Sequence, residues 1–358
     1  MITLYSHIYP LHASAPTMHP SRRFVLRFFP TLNQFRSFSS SPQELEHALT
    51  ALVESKNYVK IPDFITNEFS QSQSQISNPF KFLSSFPHNL QIQMVDEMLQ
   101  SFIPIRPRYK PKLAYSYLLS YILQTPQPFP LALAVLQRTL RSGCLPVPQT
   151  HVLLSSAWLN RRQCGSESSV AGILLEMQAI GYYPDCGTCG YIVSCLCAVD
   201  ELEEAVNIVK GMSGAGCIPD LNCFGVVISA MCRVKRTVDG YDLMKEMVVK
   251  YGLTPDHGTV VKLVAALRRE KEIWRAVEVI EFLEKEGNDV GFESYEMVIE
   301  GCLERREYVL AGKVVMGMTE RGFIPYIKVR QKIIDGLASV DEWKMACAVR
   351  QRFAKLKS

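Results

Sequence analysis

Residues 185–220 read DCGTCGYIVSCLCAVDELEEAVNIVKGMSGAGCIPD. Apolar residues follow helical spacing in both halves of this stretch: Tyr191, Ile192, Val193 and Leu196 in the first, and Leu202, Ala205, Val206, Ile208 and Val209 in the second. The stretch ends on Gly216 and Pro219, a stop signal, because Gly enters the left-handed region freely and Pro cannot continue a helix. It therefore predicts a hairpin of two helices followed by a turn.

The Gly-x-x-Pro signal recurs through the second half of the chain. It occurs at Gly143/Pro146, Gly181/Pro184, Gly216/Pro219, Gly252/Pro255 and Gly322/Pro325, with Gly287/Val290 at the remaining position. Counted from Pro111, successive positions are 35, 38, 35, 36, 35 and 35 residues apart. Because one hairpin of this size cannot bury its apolar faces alone, the repeat predicts an all-α solenoid of stacked hairpins.

Finer details of the unit point to one repeat family. The LEEA motif at Leu202–Ala205, the Pro-Asp endings at Asp185, Asp220 and Asp256, and the central cysteines Cys197 and Cys232 resemble the P-type pentatricopeptide repeat (PPR) of plant organellar proteins. The tetratricopeptide repeat is the nearest alternative, but it has a period of 34 residues and a different Trp/Gly/Tyr signature. The resemblance implies a right-handed superhelical solenoid of PPR hairpins.

Three segments follow from this reading. Residues 111–358 hold about six full repeats and a truncated C-terminal one. Residues 39–110 are predicted to be helical, with candidates at 43–55 and 90–102, but with degenerate or no repeats. Residues 1–38 have a separate character, because no Asp or Glu precedes Glu44.

That first segment is predicted to be an organellar transit peptide. Four of the 39 Lys and Arg residues lie in it and all 35 acidic residues follow it, so the remainder of the chain is formally neutral. An acid-free, Arg- and Ser-rich opening is typical of such peptides. The stretch Arg36-Ser37-Phe38-Ser39-Ser40 resembles the processing site of plant mitochondrial precursors. We therefore expect a mitochondrial location, with the chloroplast as the alternative.

Other kinds of chemistry have weaker support in the sequence. Cys186-x-x-Cys189 with Cys195-x-Cys197 could hold zinc or act in redox chemistry, but the repeat register places these residues along one helix, as buried thiols. Trp158, Trp274 and Trp343 are predicted to lie in the core. There is no Gly-rich phosphate loop ending in Lys-Ser/Thr and no deaminase-like His-x-Glu with a Cys pair. We expect no catalysis, no metal, no cofactor and no small-molecule substrate.

The resemblance also implies which residues face a ligand. In PPR proteins the first helices hold single-stranded RNA, one base per repeat. Carried onto this sequence, the paired base-facing positions are Tyr117/Val147, Val152/Asp185, Gly190/Asp220, Gly225/Asp256, Val261/Gly291 and Glu296/Tyr326, with Gln331 unpaired. Base reading needs a short polar side chain at the first position, which Gly and Val do not provide. The usual code is therefore not legible, although Asp fills the second position three times.

Cations recur near the turn inside three successive units. They are Arg233, Lys235 and Arg236, then Arg268, Arg269 and Lys271, then Arg305 and Arg306. Stacking would align them as a basic edge suited to phosphates. Alternatively, they only complement the negative C-terminal ends of the first helices.

The leading functional prediction is RNA binding in organellar RNA metabolism: processing, stability, splicing or translation. The alternative is a protein-interaction scaffold, for example one associated with the organellar ribosome. No uninterrupted apolar run approaches the roughly 20 residues that span a bilayer, so no membrane partner is expected.

Overall fold

The computed structural model describes residues 42–69, 78–163 and 169–356. The chain divides into two units, Met1–Ser40 and Ser41–Ser358, and the described residues belong to the second. Helices and turns account for the regular structure of these residues, which contain no strand. The predicted targeting segment and its Arg36–Ser40 motif lie outside the described residues.

Three helices precede the repeats. They are α1 (Pro42–Glu54), α2 (Ile61–Phe69) and α3 (His88–Phe102). Helices α1 and α3 match the two predicted in this segment to within two residues, whereas α2 was not predicted. Helix α2 packs against the first repeat helix, so this segment closes one end of the array's core.

Paired helices fill the rest of the described chain. They are α4 (Lys112–Ile122) with α5 (Phe129–Arg141), α6 (Gln149–Gln163) with α7 (Val170–Leu175), α8 (Cys186–Ala198) with α9 (Leu202–Gly211), α10 (Leu221–Arg233) with α11 (Thr237–Tyr251), α12 (His257–Arg269) with α13 (Ile273–Lys285), α14 (Phe292–Glu304) with α15 (Tyr308–Glu320), and α16 (Ile327–Ser339) with α17 (Trp343–Lys355). Single 3₁₀ turns extend α7 and α9. The all-α repeat solenoid is confirmed.

The first helices form a continuous row. Helix α8 packs on α10, α10 on α12, and α12 on α14. Buried aliphatic side chains fill the contacts between them, among them Ile192, Val227, Leu263 and Val298. The row gives one surface to which every unit contributes its first helix.

The turns between units confirm the predicted stop signal. All the Gly residues of the Gly-x-x-Pro series have positive φ: Gly143, Gly181, Gly216, Gly252, Gly287 and Gly322. The turns inside the hairpins also hold a left-handed residue, but never Gly in the last five units: Asp200, Lys235, Lys271, Arg306 and Asp341. Only the turns between units, which contain Gly, could be recognised as left-handed from the sequence.

The tryptophan prediction was right for one residue and wrong for two. Trp158 is fully buried, packs edge-to-face on Phe129 at 5.8 Å and donates its indole N–H to Glu204. Trp274 and Trp343 are instead more than half exposed, because each lies in the first turn of a second helix, where the side chain faces solvent.

The described cysteines are free thiols, and all but Cys186 and Cys347 are buried. They therefore pack as small apolar residues, as expected for most of them. In the described part of the chain, no helix has the length and apolar character needed to span a bilayer.

Candidate nucleic-acid interface

An open groove of about 680 Å³ crosses the first helices α8, α10 and α12. Its polar lining consists of Ser194, Asn222, Ser229, Arg233, Asp256, Thr259 and Lys262. The α10 members share a face because Asn222, Gly225, Ser229 and Arg233 follow one another at intervals of three or four residues. The groove therefore presents hydrogen-bonding groups from three consecutive units and cations from two of them.

One predicted base-facing pair lies in this groove. A β-carbon at Gly225 would lie 3.0 Å from Thr259 Oγ1 and 3.7 Å from Asp256 Oδ2. The two positions of the Gly225/Asp256 pair are thus neighbours across the contact between α10 and α12. Because Thr259 is so near, a larger residue at 225 would fill this part of the groove, and Gly keeps it open.

The three aspartates of the Pro-Asp endings also have a structural task. Asp185, Asp220 and Asp256 are the N-cap residues of α8, α10 and α12. In each, Oδ1 accepts the backbone N–H three residues later, at 2.8, 2.9 and 2.9 Å respectively. Capping and base recognition both favour Asp at this position, so the sequence could not separate the two roles.

The hydrogen bonds to two of these caps keep them anionic. Burial alone raises the pKa of Asp256, but the side-chain and backbone donors of Thr259 lower it below its ordinary value. The pKa of Asp220 is likewise lowered, since hydrogen bonds from Cys223 and Cys186 outweigh the effect of burial. Ionised carboxylates only accept hydrogen bonds, so any base at these positions must donate.

The other predicted base-facing residues are less uniform. Val152 is exposed, Val261 and Tyr117 are half-buried, Gly190 is buried, and Gln331 is exposed and donates to Asp335 Oδ1 at 2.7 Å. Glu296 is half-buried, and its pKa is raised by burial and by the neighbouring Glu300 and Glu293. These positions therefore offer no common recognition chemistry.

Helix α14 carries an acidic face that the sequence reading missed. Glu293, Glu296, Glu300 and Glu304 recur at intervals of three and four residues and therefore share one side of the helix. Glu300 and Glu304 line a second groove of about 680 Å³, with Arg268 and Asp335. The helical spacing of these four residues was the signal available in the sequence.

Part of the predicted basic edge acts inside the protein. Arg233 donates to the Cys197 carbonyl at 2.7 Å and to Asp200 Oδ1 at 3.0 Å. Arg269 donates to the Cys232 carbonyl at 2.8 Å. These contacts tie each arginine to the C-terminal turn of the preceding first helix, as the helix-end interpretation requires.

Two further arginines of the edge are paired with carboxylates. Arg236 pairs with Glu203 and Asp239, at 2.6 Å in both cases. Arg268 contacts Glu300 at 2.8 Å and also pairs with Glu304. Their charges are largely neutralised, which leaves them little attraction for phosphate.

The remaining cations of the edge are exposed. Within the described residues, no ion pair or side-chain hydrogen bond involves Lys235, Lys271, Arg305 or Arg306. Lys271, Arg305 and Arg306 line one cleft of about 470 Å³ together with the Arg268–Glu304 ion pair, so stacking brings cations from two successive units together. This cleft retains the charge that a phosphate contact needs.

The cysteine cluster singled out in the sequence does not assemble. In the part of the chain that the structure describes, the thiols of Cys186, Cys189, Cys195 and Cys197 form no common group of ligands. Burial raises the pKa of Cys195 to about 12 and that of Cys197 to about 11. Neither has the lowered pKa of a reactive thiol.

Fold and surface together define an α-helical repeat protein whose first helices form one continuous row. No protein-family model matches the chain. The chain is 57% identical over 324 residues to a pentatricopeptide repeat-containing protein of Arabidopsis thaliana, covering 90% of this chain and 93% of that protein. The chain therefore belongs to the pentatricopeptide repeat family.

Solved structures of the maize PPR protein PPR10 also match. One has a TM-score of 0.37 at 13% identity and covers 89% of this chain and 55% of that chain. Another, PPR10 in complex with an 18-nt psaJ RNA element, has a TM-score of 0.21 at 13% identity, covering 88% of this chain and 64% of that one. The chain thus spans between half and two thirds of the PPR10 chains it matches.

Proposed function

We propose that this protein binds single-stranded RNA along the groove of α8, α10 and α12, and that it acts in RNA metabolism without catalysis. The observation that carries the proposal is the groove itself. It places the Gly225/Asp256 pair beside Asn222, Ser229 and Lys262, on the helices that face RNA in this family.

The groove favours contacts that tolerate different bases. Gly225 offers no side chain to a base edge, while Asn222 and Ser229, about one helical turn away on either side, can donate or accept. Lys262 is exposed; its side chain makes a long hydrogen bond of 3.5 Å to Ser229 Oγ and interacts electrostatically with Asp256. Its charge is available to a phosphate, which positions a strand but does not identify bases.

Charge limits the length of the strand that the row can hold. The cleft of Lys271, Arg305 and Arg306 extends the cationic surface at the edge of the array. Glu293 and Glu296, the residues of the acidic face of α14 that do not pair with Arg268, oppose phosphates on the next first helix, so the bound segment ends near α12. Weakly specific binding of a short strand is the expected mode.

The organelle is the proposed site of action. Residues 1–38 contain four Arg and no Asp or Glu, which supports import of the protein into an organelle, with the mitochondrion favoured over the chloroplast. Processing, stability, splicing and translation of organellar transcripts are the candidate steps. N-terminal sequencing of the protein purified from organelles checks the location: a start near Phe38 supports import, and an intact Met1 contradicts it.

The salt dependence of RNA binding tests the proposal. Full-length protein and random single-stranded RNA are titrated by fluorescence anisotropy over a range of salt concentrations. Lys262→Gln should weaken binding to unrelated sequences by similar factors and reduce the log-log salt slope by roughly 0.7. Lys285→Gln is the matched control, since this exposed lysine of α13 does not line the groove. Equal effects of the two substitutions, or no saturable binding, would refute the groove assignment.

A protein-interaction scaffold is the second candidate, and one observation favours it. Leu145, Tyr183 and Ile218 occupy the same position of three successive Gly-x-x-Pro turns and are 63%, 68% and 75% exposed. An apolar row of this kind is typical of contact with a partner protein. If Tyr183→Ser with Ile218→Ser removes co-purifying proteins while RNA affinity is unchanged, the scaffold function is supported.

A further inference from the structure

Two thiols and a carboxylate from successive units converge at the N-terminal ends of α8 and α10. Cys186 is the first residue of α8, while Asp220 is the N-cap of α10 and Cys223 lies three residues later. The sulfur atoms of Cys186 and Cys223 are 3.9 Å apart, and one ligand atom from each of the three residues lies within 4.8 Å of the others. It is the one such group of potential ligands found among the described residues.

From this cluster we infer a binding site for a zinc-class divalent metal ion, with Cys186, Cys223 and Asp220 as ligands and a fourth position open. The inference is independent of RNA binding. It also differs from the Cys186-x-x-Cys189 interpretation, since the second thiol comes from the next unit.

The spacing of the ligand atoms fits tetrahedral coordination. Zn–S bonds of about 2.3 Å at tetrahedral angles place two sulfurs about 3.8 Å apart, close to the observed separation. Asp220 Oδ1 already accepts the Cys223 N–H at 2.9 Å, which fixes the carboxylate and leaves Oδ2 for the metal. A ligand held by such a backbone hydrogen bond is pre-oriented, as in established metal sites.

The charge and accessibility of the site also suit a metal ion. Two thiolates and one carboxylate exceed the charge of a divalent ion by one, and the N-terminal ends of α8 and α10, which carry partial positive charge, lie at the group. Cys223 is buried, Cys186 is half-buried and Asp220 is exposed, so the ion has a polar side from which to enter. Thiolate ligands select zinc or its analogues over magnesium and calcium.

Gly190 contributes to the geometry. A β-carbon at this position would lie 3.2 Å from Cys223 Sγ, which is tighter than an ordinary contact. Gly190, a predicted base-facing residue, therefore has no side chain, and this leaves room for the Cys223 sulfur. Gly190 and Asp220 form no legible base-reading pair; at this site Gly190 leaves room for the sulfur, and Asp220 supplies the carboxylate in addition to capping α10.

Cobalt substitution tests the site directly. Full-length protein, reduced and freed of metal with a chelator, is titrated with Co²⁺ and then with Zn²⁺. We expect about one ion per chain, a thiolate-to-cobalt charge-transfer band with tetrahedral d–d bands, and displacement by Zn²⁺. Cys186→Ser should reduce the charge-transfer intensity to about half or abolish it, since one thiolate of the site is lost. Asp220→Asn, which keeps a good N-cap, should weaken binding at least about tenfold.

Controls separate this site from other thiols. Cys302→Ser removes a buried thiol outside the group and should change neither stoichiometry nor spectrum. Because Cys223→Ser alters the core, Cys186→Ser and Asp220→Asn carry the test. The inference is overturned if no tetrahedral spectrum appears or if the spectrum survives both variants. It is also overturned if the purified chain forms a Cys186–Cys223 disulfide after mild oxidation and binds no metal when reduced.

Discussion

At the scale of single residues, the aspartates after the Gly-x-x-Pro turns combine two tasks. Asp256 illustrates this, because Oδ1 caps α12 through the Thr259 N–H while Oδ2 accepts the Thr259 hydroxyl at 2.5 Å. The same Oδ2 lies beside the Gly225 position in the groove. The recurrence of Asp in this register therefore has a reason in helix stability that is independent of RNA binding.

Removing the cap at Asp256 should destabilise α12. Asp256→Ala should lower the free energy of unfolding by about 1 kcal/mol, while Asp256→Asn should cost much less because Asn is also a good N-cap. Denaturant unfolding and hydrogen exchange at the Thr259 amide measure the difference. Equal effects of Ala and Asn would show that capping is not the main role.

The contribution of Asp256 should also depend on pH. Its folded-state pKa lies below the ordinary 3.8, so its stabilisation is present above that value and is lost as pH falls through the folded-state pKa. The stability gap between the wild type and Asp256→Ala should therefore be constant near neutrality and shrink in acid. A gap that widens with acidification would contradict the assignment.

At the scale of elements, the unit boundaries depend on left-handed glycines. Gly216 has φ of +75° and no heavy atom within 4 Å of a would-be β-carbon, so backbone strain alone opposes substitution. Gly216→Ala should cost about 1 kcal/mol. Gly187→Ala in α8, where the new methyl meets only Asp185 at 3.8 Å, is the control and should be neutral or stabilising. Similar melting temperatures for the two variants would contradict this view.

The acidic face of α14 leads to a prediction about RNA affinity. Glu293→Gln with Glu296→Gln removes two charges without removing a partner of Arg268, and it should raise RNA affinity at low salt because phosphate repulsion falls. The charge-matched control is Glu281→Gln with Glu286→Gln. Glu281 lies in the neighbouring second helix α13, and Glu286 lies at the C-terminal end of that helix. If both pairs raise affinity equally, only net charge matters and the strand does not approach α14.

A left-handed turn could be predicted from the sequence only where a characteristic residue type, such as Gly, occupies it. Gly216 and its equivalents have a chemical signature, and their left-handed turns were predicted correctly. Lys235 and Asp200 adopt the same region without one, so the position of the turns inside the hairpins was predicted but their left-handed conformation was not. Trp274 was predicted to lie in the core because the sequence showed that it belongs to a helix. The sequence did not show that its side chain, in the first turn of that helix, faces solvent. The groove could not be predicted, since it arises from three helices that meet only after stacking.

At the scale of the whole molecule, a formally neutral array can still bind RNA where its charges are uneven. Many cations are committed to carbonyls and carboxylates, as at Arg233 and Arg268. Exposed cations remain elsewhere, among them Lys262 in the groove and Lys271, Arg305 and Arg306 in the cleft. Net charge therefore says little here about the partner, and the distribution of unpaired cations says more.

Ultraviolet crosslinking of the full-length protein to single-stranded RNA, with mass-spectrometric mapping of the crosslinked peptides, tests the central claim most directly. The account predicts crosslinks in α10 and α12, at residues that line the groove, and fewer in the Lys262→Gln variant at moderate salt. Crosslinks confined to the second helices or to the turns of Leu145, Tyr183 and Ile218, or no crosslinks from a folded protein, would contradict it.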